Sequence, residues 1–398
     1  MNETRMVNRR DMQTPILKIS RASLVRVLYT EPGMNATAIS GTFSILFLYD
    51  VCDEIQLEEL RRILNLPRAG REPPFRQPAP EYVQFSQPPV AEPAQIPVCV
   101  GGEEINGRVA YFEYGVVSLT LVIPFEAGWE EIVTLASRWM NTPELEQRAS
   151  EVVQKHLQTA TPALVNPYRE KLSEDYFIIC IRTIFDELGN PITATKLIET
   201  CGNYLAQIVR GEPARFSAAE RAEILESRMS YYDTDLLVLG WTAAVVYDTP
   251  DGTAPTVQLL EYANTQLLEF RHYDAVLTRL LSDVYRTLDR KGGFLARWRL
   301  AQEAERLNTM RLDVRELTER VDNSIKFLSD MFAARLYRMA ATKIGVPDYR
   351  NLVEQKLKSA EELYGFMMNR FYQGRAFVLE LMIVIILIID LFFLFRGK

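Results

Sequence analysis

The chain has 398 residues, of which 48% are hydrophobic and 24% charged, and its formal net charge is −7. That composition suits a globular protein of two or three domains and excludes a collagen-like or wholly disordered chain. Two histidines and four cysteines without a CxxC spacing argue against a histidine-based metal centre, a disulfide framework or a Cys-His or Ser-His catalytic engine.

The first 37 residues form an N-terminal segment with arginines but no apolar signal core. "TFSILFLYD" (42–50) reads as a buried strand, and "EIQLEELRRIL" (54–64) follows with helical spacing. Nine prolines between Pro67 and Pro97 predict an extended linker. "GRVAYFEY" and "VVSLTLVIPF" read as two strands joined around Gly115. Helices over "GWEEIVTLASRWMN" and "PELEQRASEVVQKHL" come next, then a strand over "EDYFIICIRTIF" (174–185). Strand–helix–strand–strand–helix–strand is the split pattern of a ferredoxin-like body, here expected over 38–66 and 98–190. The fold class expected is therefore α+β: a ferredoxin-like α/β body, then a long α-helical hairpin and one C-terminal transmembrane helix.

Residues 191–255 read as a helical and strand extension, in which "DTDLLVLGWTAAVVYDTPDG" is a buried run closed by a Pro-Asp-Gly turn. Residues 256–375 read as a coiled-coil-like region of long helices, one ending at Gly292-Gly293 and the next at "IGVPDY". Val314, Val321, Ile325, Leu328, Phe332 and Met339 form one apolar stripe. Val353, Leu357, Ala360, Tyr364, Met367 and Phe371 form another, and the two suit an antiparallel hairpin.

The last stretch, 376–395, contains sixteen Leu, Ile, Val or Phe residues. Twenty apolar residues span about 30 Å of hydrocarbon, and these favour insertion by roughly 5–10 kcal/mol. The expectation is a single-pass C-terminal anchor with a lipid bilayer as partner. Ala376, Glu380, Ile383, Leu387, Asp390 and Leu394 step by four and three, which puts both acids on one seam and predicts a homo-oligomer. Upstream, residues 290–375 carry seventeen basic against eleven acidic residues, whereas 1–289 are strongly acidic. Arg290, Lys291, Arg297 and Arg299 interleave with Phe294 and Trp298, a pattern suited to a helix at a membrane surface or to a solvated helix start.

The tail, with Leu379, Glu380, the run from Met382 and Asp390, resembles the C-terminus of the required-for-meiotic-nuclear-division / Sad1-interacting-factor family, whose shared region is domain of unknown function 155. "YGVVSLTLVIPFEAGWEEIV" and "LLEFRHYDAVLTRLLSDVYRTL" are similar to further parts of that family. The resemblance implies a membrane-anchored, non-enzymatic protein. It implies a bacterial-type member or a mitochondrial inner-membrane one, with its body facing cytoplasm or matrix. It also implies association with ribosomes or RNA in support of the translation of membrane proteins.

No phosphate loop, GxSxG or HExxH occurs, so no catalytic, cofactor-binding or metal residue is nominated and no small-molecule substrate is expected. The expected function is a membrane-anchored scaffold or adaptor that self-associates through its C-terminal helices; the alternative is the ribosome- or RNA-associated factor.

Overall fold

The computed structural model describes residues 38–66, 88–97, 104–289, 305, 309, 310, 312, 314–316 and 331–396. Its centre is one eight-stranded sheet in the order β2-β3-β4-β1-β5-β8-β7-β6. The strands are β1 (Ile39–Ile55), β2 (Val90–Pro97), β3 (Glu104–Tyr111), β4 (Val116–Ala127), β5 (Leu164–Arg182), β6 (Arg228–Met229), β7 (Leu236–Leu239) and β8 (Ala243–Asp248). All neighbours are antiparallel except β5 and β8, which run parallel.

β1 is the axis of the sheet. It pairs with β4 on one side and β5 on the other, and its buried run reads as continuously apolar because helices cover both faces. Phe43, Ile45, Phe47 and Tyr49 point to one face; Leu46 and Leu48 point to the other. The first face carries α1 (Leu57–Ile63), α2 (Trp129–Met140), α3 (Pro143–Ala160), α4 (Ala194–Arg210) and α5 (Ala218–Glu226). The second carries α6 (Pro250–Asp289), α7 (Met331–Ile344) and the start of α8 (Val346–Arg396).

The expected ferredoxin-like body is corrected. β8, β7 and β6 extend the sheet beyond β5, and β2 extends it beyond β3, giving one mixed eight-stranded layer. The extension was hidden because "DTDLLVLGWTAAVVYDTP" folds as two strands, β7 and β8, about Gly240. A Cβ at Gly240 would sit 2.4 Å from Val209 Cγ1, so the turn packs directly on α4. Pro250 does not close a turn. It opens α6, where a missing N–H costs nothing, and Gly252 donates its N–H to Thr249 Oγ1.

α7 ends at Gly345, whose φ of +92° lets the chain reverse into α8. From the expected hairpin, Val314, Val353 and Ala360 are buried, and Phe332, Met339 and Leu357 pack at the core's edge. α7 and α8 both lie against α6 as well as each other. Val321, Ile325 and Leu328, and the side chains of Tyr364, Met367 and Phe371, lie outside the described residues.

The expected transmembrane helix is also corrected. Among the described residues no helix is long and apolar enough to cross a membrane. The described exposed apolar run, Leu381–Ile389, is nine residues of α8. The single-pass anchor and the integral-membrane location drawn from it are set aside on that finding. The proposed membrane-surface residues Arg290, Lys291, Phe294, Arg297, Trp298 and Arg299 lie outside the described residues.

Candidate functional site

Two regions stand out: a polar seam where α6 crosses the sheet, and the far end of α8. Along α6, Glu261, Thr265, Glu269 and His272 recur at helical spacing and face the sheet. A helix polar on its buried face requires partners there, since an unmatched buried polar group costs about 1–3 kcal/mol. Glu261 accepts from Arg108 Nη2 at 2.6 Å, and the hydroxyls of Thr265 and Tyr114 meet at 2.6 Å. Arg271, next to this stripe, forms an ion pair with Glu174 of β5.

The seam ends in a cleft of about 780 Å³ where β1 is interrupted by a bulge between Asp50 and Cys52. His272 Nδ1 lies 2.5 Å from Asp50 Oδ2, and both side chains are largely buried. Tyr168 stacks on the His272 ring, with centroids 4.6 Å apart. Asp53 accepts from Tyr168 at 2.7 Å and from Asn166 Nδ2 at 2.8 Å. Burial raises the pKa of Asp50, and His272 opposes that shift by hydrogen bond and by charge. With Nδ1 turned to Asp50, Nε2 is the nitrogen left for an occupant of the cleft. The nearby thiol of Cys52 is pushed up to about 12 by burial, so it stays protonated and unreactive near neutrality.

The predicted seam residues behave differently. Ala376, Glu380, Ile383, Leu387, Asp390 and Leu394 all lie on α8. Glu380, Ile383 and Leu387 are exposed, while the side chains of the other three lie outside the described residues. Leu381 to Ile389 is an unbroken exposed run on every side of the helix. The aromatic residues Tyr111 and Phe112 are buried, so they do not present rings on which bases would stack.

The Asp50–His272 pair escaped notice because its members sit far apart in the chain. The available signal was the polar stripe on α6, Glu261, Thr265, Glu269 and His272, at spacings of four, four and three.

Residues 40–254, from β1 into the first turn of α6, match the family described as "Uncharacterized protein MJ0711, N-terminal domain". The chain belongs to that family. The uncharacterized protein MJ0711 of Methanocaldococcus jannaschii is 21% identical over 222 residues, covering 56% of this chain and 66% of the relative, just under two-thirds of its length. No solved structure matches the chain. The likeness to the meiotic-nuclear-division family is thereby corrected. It rested chiefly on residues 375–396, outside the matched region.

Proposed function

We propose that this protein is a non-enzymatic scaffold or adaptor that self-associates through the C-terminal end of α8. The observation that carries this is the run Leu381–Ile389, nine consecutive apolar residues each 46–61% exposed on the single chain. Folded monomers rarely expose such a continuous patch, and a helix apolar on all sides is ordinarily buried.

A second copy of the same helix is the covering partner we favour. Residues 376–398 carry two acids and two bases, so identical copies meet without net repulsion. Glu380, Ile383 and Leu387 repeat at three and four, which supplies a seam for parallel packing. Because the apolar character runs round the helix, one seam is not enough, and a bundle covers it better than a pair.

Sedimentation velocity of the full chain in detergent-free buffer tests this. An oligomer is expected, and Ile383→Lys with Leu387→Lys shifts it to monomer by placing like charges in the seam. A wild-type monomer at micromolar concentration, or an oligomer indifferent to the double substitution, sinks the proposal.

A further inference from the structure

A second cleft, of about 590 Å³, opens on the α6 side of the sheet at the end where that helix begins. Side-chain chemistry changes along three strands, β1, β5 and β3, while β4, between β3 and β1, keeps Val122 at the cleft. On β1, Leu48 and Leu46 lie in the core under α6, but the next residues on that face are Ser44 and Thr42. On β5 the sequence is Tyr176, Ile178, then Cys180 and Arg182. On β3, Ala110 gives way to Arg108 and Asn106. Residues of one face recur every second position, so these three strands pass from apolar to mostly polar or charged groups beside the start of α6. A face built only for stability would carry the apolar layer on, because an unfilled void forfeits packing. The resulting volume falls in the range of small-molecule sites, about 300–1,000 Å³.

The charges are selective. Arg108 and Arg182 are the only charged residues among the described lining, and no carboxylate lines the cleft. Glu261, whose side chain is 3% exposed, holds Arg108 Nη2 at 2.6 Å from behind. That contact orients the guanidinium and leaves its other donors for a ligand. Since Glu261 offsets Arg108, Arg182 sets the sign of the mouth. Thr42, Ser44, Asn106 and Thr253 supply neutral hydrogen-bonding groups, and Val122 and Val257 an apolar wall. The cleft lies on the face of the sheet over β3, β4, β1 and the C-terminal end of β5, beside the first turns of α6.

We infer that this cleft binds a small anionic molecule, one bearing a phosphate or carboxylate on a partly apolar body, through Arg182 and the Glu261-oriented Arg108. Bound phosphate and bound carboxylate use the same guanidinium chemistry, so the probes separate them.

Isothermal titration of the full chain with adenosine monophosphate, inorganic phosphate, citrate and adenosine is the test. Saturable one-site binding is expected for the phosphate probes or for citrate, and the tighter arm assigns the anion. Adenosine binds at least about tenfold more weakly than adenosine monophosphate if the phosphate arm wins. Arg182→Gln, at an exposed position, weakens the winning probe by about tenfold. Ser44→Leu fills the floor and removes binding, provided its circular dichroism and melting match wild type; if it misfolds, Arg182→Gln decides. Absence of binding by all three anions at millimolar concentration overturns the inference. So does equal binding of adenosine and its monophosphate where phosphate is the tighter arm, or wild-type affinity in Arg182→Gln.

Discussion

Asp50 is a carboxylate at the centre of a sheet, and a single imidazole determines its cost. Its side chain is 2% exposed, and burial raises its pKa above the ordinary 3.8. The folded protein therefore holds that proton more tightly than the unfolded chain. The stability linked to it is full below the unfolded value and is lost as pH rises through the folded value. His272 limits the loss by pairing with the charged form. His272→Ala is expected to raise the Asp50 pKa further and to cost about 3–5 kcal/mol at neutral pH, the range for a buried charge left without its partner. The difference from wild type should open as pH rises above the ordinary 3.8 and shrink on acidification, where Asp50 is neutral in both. Urea unfolding at pH 4 and pH 7 measures it; an equal cost at both pH values contradicts the pairing. Neither residue advertises this role in the sequence, where Asp50 merely ends an apolar run and His272 is a lone histidine.

At the level of elements, α8 joins two different environments in one helix of 51 residues, about 77 Å long. Its first turns belong to the body: Val353 and Ala360 are buried, and Lys356 reaches across to α6. Lys356 Nζ donates to Asp274 Oδ1 at 2.5 Å and to Thr278 Oγ1 at 2.6 Å. Lys356→Ala removes a charge-assisted pair that clamps the two helices. A loss of about 1.5–3 kcal/mol is expected, read as a lower urea midpoint with an unchanged slope. The distal part of α8 carries the exposed apolar run, and the self-association test above addresses that end of the same helix. Helical periodicity marked both parts as helical, although the membrane span read into the distal part is not borne out. What it did not show is that they form one helix rooted in the body, because that depends on Gly345 reversing the chain at the edge of α6.

For the molecule as a whole, β1 is the strand with most to lose on opening. It is paired on both sides along most of its length and covered on both faces. Hydrogen exchange should be slowest in Phe43–Tyr49, at the global unfolding free energy, and faster in the edge strands β2 and β6. Protection in β2 equal to that in β1 would contradict this hierarchy. The chain's own pattern determined much of what surrounds β1: the strands at 42–50 and 116–125, the helices at 129–140 and 143–157, and the stripe that buries Val353 and Ala360. These are local choices, set by the spacing of apolar residues. Sheet order is different in kind. β8 lies beside β5 because the intervening α4, α5, β6 and β7 bring it there, and no periodicity encodes which edge a strand joins. The Asp50–His272 contact and the Arg108–Arg182 cleft are decided the same way. Each joins residues that only the packing of α6 on the sheet brings together, so the tertiary structure alone reveals them.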